Sequence, residues 1–200
     1  MKIELAGSLE GLGIGDQIAR WTDSGLMDRL WAKDPTVWFS APTDEIANRL
    51  GWLDLPESSV TSLGEIEDLA LTARELEIDH VVLCGMGGSS LAPEVFAATL
   101  PTRPGYPDLI VLDSTHPDAI EAVVQRIDPA STWFVVSSKS GGTLETRSLM
   151  EFFWAMMSQQ STNPGDHFIA VTDPDSDLEK LGVDRGFRSV FLADPNVGGR

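Results

Sequence analysis

Five short apolar runs, His80 to Cys84, Asp108 to Leu112, Thr132 to Ser137, His167 to Thr172 and Ser189 to Ala193, leave this chain few architectures. Each is long enough for a strand and too continuously apolar for a half-exposed antiparallel one. Helical patterns lie between them, near 90–99, 116–127, 143–160 and 175–182. Strands buried on both faces and alternating with helices predict a doubly wound α/β fold, a mostly parallel five-stranded sheet flanked by helices.

Residues 1–60 are different. They hold Trp21, Trp31, Trp38 and Trp52, show no convincing strand, and are broken by Pro35, Pro42 and Pro56. This predicts a helical, loop-rich N-terminal extension ahead of one domain over 61–200. The four tryptophans read as packing anchors, because a large indole contributes most by burial, rather than as ligand-stacking platforms. From Ser62 onward, Leu63, Ile66, Leu69, Ala70, Ala73 and Leu76 follow the spacing of an amphipathic helix, and Ser62 with Glu65 has the form of a capping box.

Composition removes several function classes. With 14 Lys plus Arg against 31 Asp plus Glu, the net charge of −17 repels phosphate backbones, so nucleic acid is not an expected partner. No apolar run approaches the roughly 18 residues needed to span a bilayer, so no membrane partner is expected. Met1-Lys2-Ile3-Glu4-Leu5 lacks the apolar core of a secretory signal, and a single cysteine, Cys84, fits a reducing compartment; a cytoplasmic location is expected.

In parallel sheets, ligands bind beyond the carboxyl ends of the strands. Two of the loops there carry chemistry. Ser138-Lys139-Ser140-Gly141-Gly142-Thr143 combines hydroxyls, two glycines and a lysine directly before a helix, which is the make-up of an anion cradle. It is not a Walker A loop, since Lys139-Ser140 precedes the glycines. Gly85-Met86-Gly87-Gly88-Ser89-Ser90 begins like a dinucleotide loop, with Asp113 at the end of the second strand, but Ser90 occupies the third glycine position. A nicotinamide-dependent oxidoreductase is therefore the weakest of three readings.

Other constellations favour structural roles. Asp173, Asp175 and Asp177 have the spacing of a calcium loop, but Leu178 stands where glycine is needed and Asp184 where glutamate is, so a turn and helix cap is the better account. His80, His116 and His167 have no metal-ligand spacing, and neither a metal nor a cofactor is expected. Ser89 lacks a nucleophile elbow because Leu91 replaces its last glycine. Cys84 reads as a small apolar residue, and Phe152, Phe153, Met156 and Met157 as core on a helix.

Three motifs resemble a known family. Gly85-Met86-Gly87-Gly88-Ser89-Ser90-Leu91-Ala92-Pro93 is similar to the G-x-G-G-S-x-x-x-P stretch of glucose-6-phosphate isomerases, and Ser138 to Thr146 to their S-K-S/T-x-x-T-x-E-T loop. Val197-Gly198-Gly199-Arg200 resembles the opening of their V-G-G-R-F/Y-S signature. The resemblance covers residues from about 75 onward. The runs Arg29 to Asp34 and Asn48 to Leu53 look like the bacterial branch in which this isomerase is sometimes fused to transaldolase.

The resemblance implies a sugar-isomerase (SIS) fold, a three-layer sandwich. Ser138, Lys139, Ser140 and Thr143 would grip a phosphosugar's phosphate, Gly88 and Ser89 would line the sugar, and Arg200 would act catalytically by stabilising an enediolate. Ser140-Gly141-Gly142-Thr143 is nearer the S-G-x-T loop of the wider superfamily than the family's threonine-rich form, which leaves a non-catalytic phosphosugar-binding module as the alternative. The family continues into a second sugar-isomerase subdomain that supplies the base. The expectation is a truncated half, inactive alone, whose uncovered apolar surface would favour a homo-oligomer.

Overall fold

The computed structural model describes residues 13–41, 43, 46 and 48–198. Arg200, Gly199, Pro42 and the Met1 to Leu5 run lie outside the described residues. The lead segment carries α1 (Ile14–Asp23), α2 (Leu26–Trp31), short 3-10 turns and α3 (Leu55–Ser58). Then follow α4 (Leu63–Glu75), β1 (His80–Gly85), α5 (Leu91–Thr99), β2 (Asp108–Leu112), α6 (Pro117–Arg126), β3 (Thr132–Ser137), α7 (Leu144–Met157), β4 (Phe168–Thr172), α8 (Asp177–Asp184) and β5 (Ser189–Leu192).

All five strands are parallel, in the order β2-β1-β3-β4-β5. The expected doubly wound α/β fold is present. From β1 the chain first moves to one side, to β2, and then returns past β1 to β3, so the order reverses between β1 and β3. That switch point opens a crevice at the strands' carboxyl ends. Register sharpens it: Gly85 lies opposite Ser137, and Ser137 opposite Val171. The loops after β1, β3 and β4 therefore leave the sheet from one row.

Strand alternation divides the core into two layers. Val82, Cys84, Phe134, Val136, Phe168 and Ala170 face α6, α7 and α8, meeting Val123, Leu149, Met150, Phe153 and Leu178. Phe134 stacks on Phe153 at 4.5 Å and on Phe168 at 5.2 Å between ring centroids. On the opposite face Trp133 and Ile169 pack against Ala73 and Leu69 of α4. Right-handed crossover puts α5 on that second face as well. Cys84 is fully buried, and burial pushes its thiol up to about 12.

Several local expectations need correcting. Trp21, Trp31, Trp38 and Trp52 are about half exposed, so they do not anchor a core. Neither α1 nor α2 buries a residue, because among the described residues no third layer covers this pair of short helices to enclose an indole. The packed indoles are Trp133 and Trp154, with Arg188 and Arg185 over their rings, each 4.7 Å from the centroid. Phe152 is largely exposed, unlike Phe153. On α4, Leu63 and Ile66 are about half exposed, as is Leu76 just past its end, and only Ala73 of the helix is buried.

The capping box at Ser62 does not form: Ser62 is helical and its side chain caps nothing, because a 3-10 turn (Ser59–Ser62) runs straight into α4. A side-chain cap operates instead at α8. The Ser176 hydroxyl accepts from the Glu179 amide at 3.0 Å, while the Glu179 carboxylate accepts from the Asp175 amide. The turn-and-cap account of this aspartate-rich segment therefore holds for Ser176.

Candidate functional site

The six residues assigned to ligand binding come together. Gly88, Ser89, Ser138, Lys139, Ser140 and Thr143 all line one open cleft of about 710 Å³ at the β1/β3 switch point. Gly87 to Ser89 form a 3-10 turn ahead of α5, with Gly87 at a φ of 53°, where a side chain would be strained. Ser90 is fully buried and its hydroxyl donates to the Gly87 carbonyl at 3.0 Å, tightening the turn from within. A serine Cβ is thus accommodated where a dinucleotide loop would need the third glycine.

The second loop is held from beneath. The Ser138 amide donates to the Val171 carbonyl (3.0 Å), and the Thr172 hydroxyl donates to the Ser138 carbonyl (2.7 Å). Thr172 and Ser176 join hydroxyls at 2.8 Å, and Ser138 and Thr143 at 3.1 Å. Gly141 has a φ of 69°, and a Cβ there would meet the Leu178 amide at 2.7 Å, so only glycine lets the loop cross the start of α8. Thr143 begins α7 without a side-chain cap. The first backbone N–H groups of α7 thus face outward at the positive end of a 14-residue helix, a natural place for an anion.

Lys139 has partners that sequence spacing did not reveal. Its ammonium is paired with the Asp173 carboxylate and also donates to the Pro195 carbonyl at 3.0 Å. The Asp173 amide returns a bond to the Lys139 carbonyl at 3.0 Å. One lysine therefore ties together the loops after β3, β4 and β5. The cleft's other carboxylate, Asp194, accepts from the Asn196 amide (2.8 Å) and from its side chain (3.0 Å).

The lead segment also reaches the cleft. Leu50 bridges antiparallel to Val197, and the Gly51 amide donates to the Asn196 carbonyl at 3.0 Å. Leu50 and Leu53 are buried there, and Arg49 lines the cleft beside Gly198. In sequence, the run Asn48 to Leu53 shows only a likeness to one branch of a family, which gives it neither this position nor a role for Arg49. Of the histidines, His116 caps α6 by accepting from the Asp118 amide, and His167 meets the Thr132 carbonyl at 2.9 Å. Asp113 is exposed.

Comparison with known proteins places this geometry. The profile of the family described as Phosphoglucose isomerase matches residues 70–200. A glucose-6-phosphate isomerase from Cyanothece sp. (strain PCC 7425 / ATCC 29141) is 30% identical over 181 residues, covering 85% of this chain and 32% of that protein. One from Thermosynechococcus vestitus is 36% identical over 188 residues, covering 92% and 34%. The chain thus spans about a third of the length of the curated relatives it matches. Among solved structures, a hypothetical protein from Thermus thermophilus is similar with a TM-score of 0.71 and 26% identity, over 94% of this chain and 43% of that one. A glucose-6-phosphate isomerase from Chlamydia trachomatis is similar with a TM-score of 0.61 and 25% identity, over 86% and 31%. Sequence motifs, sheet order and profile agree, and the chain belongs to the phosphoglucose isomerase family.

Proposed function

We propose that this chain is a phosphosugar-binding part of a cytoplasmic glucose-6-phosphate isomerase, which interconverts glucose 6-phosphate and fructose 6-phosphate through an enediolate. The observation that carries the reading is the convergence of two hydroxyl- and glycine-rich loops at the switch point, beside the uncapped start of α7. In this reading the phosphate sits on Ser138, Lys139, Ser140 and Thr143, and the sugar extends along Gly88 and Ser89. The remote phosphate holds the reacting carbon in place, so binding energy is converted into orientation. Arg200 takes the role the family resemblance implies, a fixed cation facing the oxyanion that forms when the C2 proton leaves.

One observation favours a second reading, a non-catalytic phosphosugar-binding module. Among the described residues, two carboxylates line the cleft, and each is tied to a loop, Asp173 through Lys139 and Asp194 through Asn196. In the isomerase reading, the base comes from the second subdomain. Calorimetric titration with fructose 6-phosphate and with fructose tests the shared core of both readings. Fructose 6-phosphate should bind, fructose should not, and Lys139→Ala should weaken binding by about 1–3 kcal/mol. Equal binding of both sugars would overturn the phosphate grip.

A further inference from the structure

A carboxylate inside an anion grip works against the grip, and the family reading gives Asp173 no task. Its charge is close at hand: Asp173 lines the same cleft as Ser138, Lys139 and Thr143, and its side chain is only 18% exposed. One carboxylate oxygen takes the Lys139 ammonium, while the other, Oδ1, is buried without a hydrogen-bond partner. A half-satisfied buried carboxylate is costly to keep. Of the three donors on the lysine ammonium, one goes to Asp173 and one to the Pro195 carbonyl, so a phosphate meets a cation already largely spoken for.

We propose that Asp173 is a built-in competitor for the phosphate site, a positioning residue that holds the Lys139 ammonium and so weakens anion binding. The proposal rests on the phosphate reading of the Ser138 to Thr143 loop. Binding a phosphate exchanges one anionic partner of Lys139 for another, and the displaced carboxylate stays nearby as a like charge. Asparagine has the same shape and can still accept from the ammonium, so Asp173→Asn removes the charge and keeps the geometry. Loss of competition for the ammonium should then outweigh any loosening of the lysine. The loop from Asp194 to Gly198 is coupled to the same event through the Lys139 bond to Pro195.

The experiment is calorimetric titration of inorganic phosphate and of fructose 6-phosphate into the wild-type chain, Asp173→Asn, Asp173→Glu, Lys139→Met and the Lys139→Met/Asp173→Asn double variant. Asp173→Asn should bind both ligands about tenfold more tightly, and Asp173→Glu should restore the wild-type affinity. In the Lys139→Met background the gain should fall to less than about threefold, since the competitor then has nothing to hold. Asp173→Ser serves the same comparison if the asparagine variant does not fold. Unchanged or weaker binding by the neutral variants overturns the proposal, as does an equal gain with and without Lys139. Failure of every variant, wild type included, to bind fructose 6-phosphate overturns the phosphate reading itself and this proposal with it.

Discussion

The Thr172 hydroxyl donates to the Ser138 carbonyl at 2.7 Å, so the end of β4 holds the loop that leaves β3. Both residues are buried, and the same hydroxyl joins Ser176, the cap of α8. The loop from Ser138 to Thr143 is therefore set by its neighbours in the sheet and by a helix cap, more than by its own sequence.

Replacing Thr172 with valine keeps the shape and removes these bonds. A buried carbonyl and a buried hydroxyl lose a partner, and the cost should be about 1–3 kcal/mol of stability. Fructose 6-phosphate affinity should fall as well, because the loop loses its tie. Urea unfolding and calorimetry measure the two effects; a variant as stable and as tight-binding as wild type would show that the tie is idle.

Gly51 is the joint between the lead segment and the loop after β5. A Cβ there would stand 2.9 Å from backbone atoms of Asn196, a contact neither chain can relieve without moving. Gly51→Ala should cost about 1–3 kcal/mol and expose Leu50 and Leu53. Limited proteolysis should then cut near residue 50 faster than in wild type. An unchanged digestion pattern and melting temperature would contradict the close approach.

Cys84 reports on the core beneath the cleft. Desolvation raises its thiol from 9.0 to about 12, so the folded chain keeps the proton where the unfolded chain gives it up. Between those values the folded state binds more protons, and stability should decline as pH rises. At pH 8 a disulfide reagent should modify Cys84 only at the rate of unfolding. Immediate modification of the native chain would place the thiol at the surface.

The 200-residue chain alone should not turn fructose 6-phosphate into glucose 6-phosphate. In the proposed isomerase reading the general base comes from the second subdomain, and losing a general base typically removes roughly 10²- to 10⁴-fold in rate. A coupled assay compares the chain with its Lys139→Ala variant. Turnover above that control would reveal a base among these residues. NAD and NADP should leave the melting temperature unchanged, as buried Ser90 implies for a loop not built around pyrophosphate.

The strands and the make-up of the loop from Ser138 to Thr143 were legible because both are local. An apolar run such as Thr132 to Ser137 announces a buried strand, and Ser138 to Thr143 carries hydroxyls, glycines and a lysine in one stretch. Errors arose where a local pattern had more than one outcome. Ser62 and Glu65 have the spacing of a capping box, but a preceding turn keeps Ser62 helical; Ser176 and Glu179 have the same spacing, and there the serine hydroxyl does cap the helix. The four early tryptophans predicted burial from side-chain size alone, and burial depends on a neighbour to pack against.

Alternation of apolar runs with helical periods is enough to determine a parallel sheet, since a strand buried on both faces needs a helix layer on each. It also determines that glycine- and hydroxyl-rich loops end those strands. Sequence by itself could not say which loops would share a cleft. That followed from strand order, which puts β3 between β1 and β4 and lines up Gly85, Ser137 and Val171 in one row. Only that row brings Asp173 to Lys139 across 34 residues, and Asn196 to Gly51 from the far end of the chain. Residue type carries the chemistry of each loop, but pairing between distant segments is a property of the packed sheet, where contacts close in space are remote along the chain.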